Sequence, residues 1–516
     1  MSANGEGFVH LLAAAASRTP RRDFARISGA PLRLGELQRF SDALAAGLLR
    51  LGVARGERAA VMMRNGRETL LLLFALARAG IVWVPVNVQL KGEGLRYILE
   101  HSEPRLVIAD AEFLPAIESC GAALEGARLM SLGEPAKGLR LEALLREEAA
   151  FAEPFPQGHD PFAIMYTSGT TGKPKGVIVT HRMLRLAGEA AALVSAAETA
   201  DVLLMWEPLY HIGGAQLLVL PLIREATLAM VPRFSASRYW RDARENNATH
   251  IHYLGGILQI LLKQPPDSLD RAHGVRIAWG GGCPREVWRP FMERFGVEIR
   301  ECYGMTEAAS ITTYNASGSL GSVGRPVPWY SVELLDLSGR PVAAGERGEI
   351  VVRAKEPGAL SPGYFRNPEA TAAAFREGAL HTGDLGSLDG EGNLYFHGRL
   401  GDSVRVRGEN VTAWEVEHVA AEHPAVADCA IVGVEAEVGE AEIKLFVQPK
   451  EGARLDLAEL SAWLGTHLAP YQNPRYLALV AEFERTPSQR IMKHRLSRKT
   501  RGSFDRLAGN TDRSPA

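Results

Sequence analysis

Between Val202 and Arg300 short apolar runs alternate with amphipathic ones, and this alternation constrains the fold more than any other feature of the chain. Val202–Met205, Leu228–Val231, His250–Tyr253, Val275–Ala278 and Val297–Arg300 read as buried strands. Gly214–Arg224, Ala236–Asn246, Ile257–Lys263 and Arg285–Phe295 read as the helices between them. Strands alternating with helices argue for βαβ units and a parallel sheet. Ligands of such sheets bind beyond the carboxyl ends of the strands, so the loops after these strands are where chemistry is expected.

The chain has 516 residues, a length that suggests two to four domains. From Ser322 to His397 the texture changes to short β runs (Val332–Leu335, Glu349–Val352, Leu394–His397) between Gly- and Pro-rich turns. A boundary follows at Gly398–Asp402, and after it the order strand, helix, two strands, helix, strand predicts a small α+β domain. The polar stretch Ser503–Ala516 reads as a disordered tail. The expected fold is therefore α/β. A large N-terminal domain of doubly wound sheets covers residues 1–398, with a β-rich subdomain at 322–398, and a small α+β domain covers 403–502.

Composition removes several function classes. Hydrophobic residues make up 46% and charged residues 23%, which excludes disordered, collagenous and fibrous proteins. The net charge of −2 supplies no global positive field for nucleic acid. Cys120, Cys283, Cys302 and Cys429 lie far apart with no C-x-x-C pair, which argues against a zinc site or redox dithiol and for a reducing compartment. The start of the chain shows no secretory signal pattern. The most apolar stretch, Leu70–Val86, is interrupted by Arg78, Gly80 and Pro85, and reads as a core helix followed by a strand. A soluble, cytoplasmic protein with no integral membrane segment is expected.

The strongest local motif is Tyr166-Thr167-Ser168-Gly169-Thr170-Thr171-Gly172-Lys173-Pro174-Lys175-Gly176. It lies between the apolar strands Phe162–Met165 and Val177–Thr180. Three glycines permit close backbone approach to a ligand. Four hydroxyls and two lysines around a run of backbone N–H groups point to a polyphosphate. A Walker P-loop is excluded, because only two residues separate Gly169 from Gly172 and the next element is a strand.

This loop resembles the signature of the adenylate-forming superfamily, which includes acyl-CoA synthetases, adenylation domains of peptide synthetases, and firefly luciferase. The resemblance continues in order along nearly the whole chain. Pro208-Leu209-Tyr210-His211-Ile212-Gly213-Gly214 is similar to the family's second signature, in which His211 would gate the carboxylate pocket. Trp279-Gly280-Gly281-Gly282-Cys283-Pro284 is similar to the segment that flanks adenine and the acyl group. Glu301-Cys302-Tyr303-Gly304-Met305-Thr306-Glu307 matches the Tyr-Gly-x-Thr-Glu signature. The resemblance implies that Tyr303 stacks on adenine, Thr306 contacts the α-phosphate and Glu307 holds Mg²⁺. It further implies that Asp384 and Arg399 bind ribose or phosphate. Asp402 would be the hinge in a segment 399–402, and Arg407-Gly408-Glu409-Asn410-Val411 would form the pantetheine channel of a mobile C-terminal domain.

One motif departs from the pattern. The family's C-terminal Thr-Gly-Lys appears here as Thr486-Pro487-Ser488-Gln489-Arg490-Ile491-Met492-Lys493, with Arg490 in the lysine position. Adenylation brings a carboxylate against a phosphate, and a cation bridging the two anions offsets their repulsion. Arginine keeps the charge but is wider and planar. Three readings stay open. Arg490 does the job, Lys493 reaches in instead, or the adenylation step is weak or absent.

The resemblance implies an ATP-dependent acyl-CoA ligase that forms an acyl-adenylate, releases pyrophosphate and transfers the acyl group to coenzyme A. ATP, Mg²⁺ and coenzyme A are the expected cofactors, a small carboxylic acid the substrate, and a homodimer is left open. Ile212, Gly213 and Gly214 stand where a peptide-synthetase domain places an amine-binding Asp, so a free amino acid is disfavoured. Lys91–Arg96, Arg407–Asn410 and Gln489-Arg490 resemble the carnitine/crotonobetaine-CoA ligase-like branch. The expected pocket wall includes Trp206, His211, Tyr253, Leu254, Trp279, Gly281 and Cys302, suited to an acyl or aryl acid or a caged quaternary ammonium. The alternatives are a non-catalytic nucleotide- or acyl-CoA-binding protein, or an enzyme that loads a free-standing carrier protein.

Overall fold

The computed structural model describes residues 7–134, 138–145, 151–167, 174–336, 338–400, 403–406, 409–435, 441–468, 470–485 and 491–511. The chain divides into two compact units. One is built from Met1–Tyr253, Ile257–Val332 and Val352–His381, the other from Leu254–Gly256, Glu333–Val351 and Thr382–Ala516.

The first unit holds two large sheets. A seven-stranded sheet runs in the spatial order Leu139–Arg140, Arg128–Leu132, Leu106–Asp110, Arg58–Met62, Val82–Pro85, Pro161–Thr167, Lys175–Thr180. Its pairings are parallel except the last, an antiparallel pair that ends at Thr167 opposite Lys175. The apolar stretch Leu70–Val86 resolves as expected into a helix, Arg67–Ala79, and a central strand, Val82–Pro85. The helix is buried on all sides from Thr69 to Ala79, and Gly80 closes it in a left-handed conformation (φ 69°), the usual way a helix stops.

The nine-stranded sheet runs Arg325–Pro326, Thr313–Tyr314, Glu298–Tyr303, Ile277–Gly281, His250–Leu254, Val202–Met205, Thr227–Met230, Asp23–Ile27, Ala30–Arg33. The alternation read between Val202 and Arg300 is this sheet, parallel through its centre. The element bounds shift by a few residues, as where the strand expected over Val275–Ala278 is Ile277–Gly281, and two further differences bear on the site. The helix expected over Gly214–Arg224 is three short pieces, Ile212–Ala215, a 3₁₀ turn Gln216–Val219, and Leu220–Arg224, with Pro221 in the first turn of the last. The strand expected to end at Arg300 runs on to Tyr303, which puts Glu301, Cys302 and Tyr303 on the sheet. A core of Tyr239, Tyr253, Leu258, Leu261, Trp288, Phe291 and Phe295 packs this half.

A five-stranded sheet carries the β-rich region: Tyr330–Leu335, Arg347–Ala354, Ala379–Leu388 and Phe375–Arg376 in order, with Leu394–Arg399 also against Ala379–Leu388. The end of the chain adds the ribbon Ser403–Val406/Glu409–Thr412, the helices Ala413–Glu422 and Leu457–His467, and a second five-stranded sheet. Val416, Ile431, Leu445, Leu460 and Leu477 form the core of this α+β region. The reading of Ser503 onward as a disordered tail is corrected over the described residues. Phe504–Asp505 pairs with Tyr476–Leu479, and Asn510–Thr511 pairs with Phe504–Asp505. Buried Asp505, 3.3 Å from Arg475, anchors that edge although the local sequence is polar. Among the described residues no helix is long and apolar enough to cross a membrane, and none of the four cysteines forms a disulfide.

Candidate active site

Three of the sequence motifs meet within the first unit. Thr167 and Lys175 face each other at the stem of the Gly/Thr loop, with the Thr167 hydroxyl 3.5 Å from the Lys175 carbonyl. Ser168, Gly169, Thr170, Thr171, Gly172 and Lys173 lie outside the described residues. The segment Ser361–Phe365 pairs alongside the returning strand. Ile178 N–H donates to Gly363 at 3.1 Å, Phe365 N–H to Gly176 at 2.7 Å, and the Ser361 hydroxyl to Ile178 at 2.8 Å. This brings the Tyr364 ring 5.2 Å from the Lys175 ammonium. The Tyr364 hydroxyl donates to Oε1 of Glu307 at 2.8 Å, and Ser361 N–H donates to the Glu307 carbonyl at 2.9 Å. Lys175 and Glu307, read from separate motifs, therefore stand on either side of one tyrosine.

Glu307 is buried within the turn Thr306–Ala308, and Thr306 is half-buried beside it. Gly304 is required at the strand exit, because a Cβ there would overlap the Ser310 carbonyl oxygen. Among the described residues no cluster of three or more metal-ligating side chains occurs. One buried carboxylate suits Mg²⁺, which is bound by one or two carboxylates together with substrate phosphates and water.

The second cluster is built on Glu301. Its position on the strand is opposite Gly280. Its carboxylate accepts the Tyr253 hydroxyl at 2.5 Å, Gly282 N–H at 2.5 Å and Cys283 N–H at 3.1 Å. Glu301 is 3% exposed, and burial pushes its carboxyl up to about 7 against the opposing effect of those three donors. Gly280 comes so close to strand His250–Leu254 that a Cβ would overlap the Tyr253 carbonyl oxygen. Tyr303 is buried, Cys302, Met305 and Gly281 are half-buried, and Gly282 is exposed.

The third cluster surrounds His211, which precedes the helix Ile212–Ala215 and lies half-buried with its ring 4.7 Å from that of Tyr210. Asn65 staples the loop, donating to the Glu207 carbonyl at 2.7 Å and accepting Leu209 N–H at 3.1 Å. Glu207 and His252 form a buried pair at 2.7 Å. The Trp206 indole N–H donates to the His252 carbonyl at 3.1 Å, and the Trp279 ring lies 4.3 Å from the His252 ring. Of the residues expected in a pocket wall, Trp206, His211, Leu254, Gly281 and Cys302 are partly accessible. Tyr253 and Trp279 are fully buried, which leaves their rings no exposed face for a ligand.

The second unit places Asp384 opposite Arg399 on adjacent strands, with the Arg399 Nε 3.1 Å from the buried Asp384 carboxylate. Lys493 is held by Glu417 at 2.8 Å, and the same Glu417 oxygen accepts Ile431 N–H at 2.7 Å. Asp402, Arg407, Gly408 and Arg490 lie outside the described residues, as does the side chain of Glu409.

Sequence reading missed Tyr364, Asn65 and the Glu207–His252 pair. Ser361-Pro362-Gly363-Tyr364 carries a turn signal, but nothing in its spacing points to Glu307. Glu207 is adjacent to a motif and His252 lies on a predicted strand, and only the parallel sheet brings them together.

Comparison with known proteins gives a consistent picture. The AMP-binding enzyme family matches residues 12–365, and the AMP-binding enzyme C-terminal domain matches residues 415–490. The sulfoacetate–CoA ligase of Cupriavidus necator is 33% identical over 500 residues, 94% of this chain and 96% of that protein. A crotonobetaine/carnitine–CoA ligase of Escherichia coli O1:K1 / APEC is 32% identical over 461 residues, 86% of this chain and 89% of that protein. Among solved structures, ATP-bound MatB from Rhodopseudomonas palustris superposes with a TM-score of 0.86 at 27% identity, covering 94% of this chain and 97% of that one.

Proposed function

Since this chain belongs to the AMP-binding enzyme family and is an AMP-forming acid–thiol ligase, we propose that coenzyme A is its thiol and a neutral or cationic carboxylic acid its substrate. A carboxylate oxygen of the acid attacks the α-phosphorus of ATP, the bond to the bridging oxygen breaks, and pyrophosphate leaves. The thiol of coenzyme A then attacks the acyl carbon, loses its proton, and AMP departs.

The observation that carries this reading is the Lys175–Tyr364–Glu307 arrangement, which joins two distant motifs at one place. Lys175 and the Gly/Thr loop hold the phosphates of ATP. Thr306 binds the α-phosphate, and Glu307 holds Mg²⁺, which neutralises phosphate charge when bound. Tyr303 packs on adenine and Asp384, oriented by Arg399, accepts from the ribose hydroxyls. Arg490 bridges the attacking carboxylate and the phosphate, a role supported by the ion pair that already occupies Lys493. Asp402 serves as the hinge, and Gly408 and Glu409 line the pantetheine path. A cytoplasmic location follows from the ATP and coenzyme A such a reaction consumes.

The acyl preference rests on charge. The similar proteins are named for sulfoacetate, whose acyl part is anionic, and for crotonobetaine or carnitine, whose acyl part is cationic. The partly accessible residues of the expected wall are Trp206, His211, Leu254, Gly281 and Cys302, none of them lysine or arginine, and next to Trp206 and Cys302 in the chain stand the buried Glu207 and Glu301. A wall with an accessible Trp206 ring and no lysine or arginine suits a quaternary ammonium or a neutral acid better than a sulfonate, which needs a cationic partner.

Pyrophosphate release with ATP and Mg²⁺ across an acid panel, with and without coenzyme A, tests both parts. Release that needs an acid and rises with coenzyme A is expected, with neutral or quaternary-ammonium acids favoured over sulfonates and dicarboxylates by about tenfold or more. A preference for the anionic acids would overturn the substrate reading. Turnover only with a holo-carrier protein would overturn the choice of thiol.

A further inference from the structure

The glycine loop after strand Ile277–Gly281 lacks a backbone partner for its last donors. Gly282 and Cys283 lie past the point where the neighbouring strand can ladder with them, and their N–H groups turn instead to the side chain of Glu301. A buried carboxylate that has no cation beside it among the described residues is a costly choice for that task. It is accepted here with three donors, the third being the Tyr253 hydroxyl from the strand on the other side of Ile277–Gly281. Gly280 and Gly281 let the strand end settle against the Tyr253 and Cys302 carbonyls, so the loop and its clamp form one tightly packed unit.

We propose that Glu301 is a positioning residue whose carboxylate, braced by Tyr253, holds the Gly281–Cys283 turn in the shape that receives the nucleotide and acyl group. The proposal rests on the ligase reading above, and assigns Glu301 to the loop instead of to direct ligand contact. The three groups facing the carboxylate are all donors. The ionised form can accept all of them, whereas the protonated form must place a hydrogen of its own among them.

The groups around Glu301 make its titration legible. Tyr253 from one strand, Cys283 from the loop and Cys302 from its own strand are each held neutral by burial, well above their ordinary values. Glu286, on helix Arg285–Phe295, acts on Cys283 with a negative charge. Glu301, pushed up to about 7, is the member of this set that changes charge near neutral pH. The clamp is therefore complete above that point and weakened below it.

The test is AMP affinity of the full chain by calorimetry from pH 6 to 8.5, for wild type, Glu301→Gln, Glu301→Leu and Tyr253→Phe. Titration of the AMP phosphate is common to all four proteins and cancels in the comparison. Wild-type affinity is expected to fall by roughly threefold to tenfold as pH drops through 7, relative to Glu301→Gln, which keeps an acceptor and loses the titration. Glu301→Leu is expected to bind about tenfold or more weakly at every pH, and Tyr253→Phe to shift the wild-type inflection upward, since the hydroxyl favours the ionised carboxyl. Identical pH dependence in wild type and Glu301→Gln would overturn the proposal. So would a folded Glu301→Gln that binds no AMP, which would mark the charge itself as a ligand contact. If Glu301→Leu does not fold, Tyr253→Phe decides, and an unmoved inflection there counts against the clamp. Absence of acid-dependent pyrophosphate release alongside the expected AMP pattern would remove the ligase reading and leave the clamp standing.

Discussion

The Tyr364 hydroxyl donates to Oε1 of Glu307 at 2.8 Å while its ring carries the Lys175 ammonium 5.2 Å from its centre. One side chain thus couples the stem of the phosphate loop to the carboxylate assigned to Mg²⁺. A hydrogen bond to a charged group contributes about 1.5–3 kcal/mol. Tyr364→Phe should therefore lower kcat/KM for adenylate formation by roughly tenfold to a hundredfold and raise the Mg²⁺ concentration for half-maximal rate. Glu307→Gln should cost more than Tyr364→Phe. A magnesium titration of pyrophosphate release reads both, and an unchanged Mg²⁺ requirement in both variants would remove Glu307 from the metal site.

Asp384 and Arg399 face each other across adjacent strands at 3.1 Å, with the carboxylate buried and the guanidinium about one-third exposed. Asp384→Ala should raise KM for ATP by about tenfold or more with a smaller effect on KM for the acid. Arg399→Lys keeps the charge but loses the planar fork, and an intermediate KM is expected. Steady-state kinetics with each substrate varied separately checks this. An equal rise in both KM values would speak against a ribose contact.

Lys493 is tied to Glu417 within the second unit, with both side chains partly exposed. Pairs of that kind contribute about 1 kcal/mol or less. Lys493→Ala is expected to shift the unfolding midpoint slightly and leave adenylate formation within about threefold of wild type. Arg490→Ala should slow it by roughly a hundredfold or more, as loss of a preorganised charge contact does. Thioester formation from a synthetic acyl-adenylate should survive both changes. The reverse ranking, with Lys493 dominant, would return the catalytic role to the lysine.

Glu301 also predicts a pH dependence of stability. Its carboxyl is raised from 4.5 to about 7 by burial, so the folded state holds its proton more tightly than the unfolded state does. The stability this contributes is fully present below about 4.5 and is lost as pH rises through about 7, amounting to about 3 kcal/mol at 1.36 kcal/mol per unit. Glu301→Gln carries no such loss. The stability of Glu301→Gln relative to wild type should therefore rise from pH 4.5 to 8 in denaturant titrations. A constant difference across that range would contradict the buried, titrating carboxylate.

Much of the architecture was legible in the order of residues. The strands and helices between Val202 and Arg300, the helix and strand within Leu70–Val86, and the turn-borne motifs each arise from local periodicity or glycine placement, which short segments carry by themselves. The chemical kinds in the site were legible for the same reason. Two lysines among threonines and glycines, or a carboxylate after Tyr-Gly, restrict the ligand before any contact is known.

What only tertiary structure decided is which side chain completes each site. Tyr364 reaches Glu307 because Ser361–Phe365 pairs with the strand that leaves the phosphate loop. Glu207 meets His252, and Glu301 meets the Gly282 and Cys283 amides, because neighbouring strands of a parallel sheet are joined through distant crossovers. The short edge strands Phe504–Asp505 and Asn510–Thr511 form because a neighbouring strand offers backbone partners, which their own polar sequence does not announce. Local pattern determines elements and the type of chemistry. The contacts that tune a carboxylate depend on register and crossover between strands, which no single segment encodes.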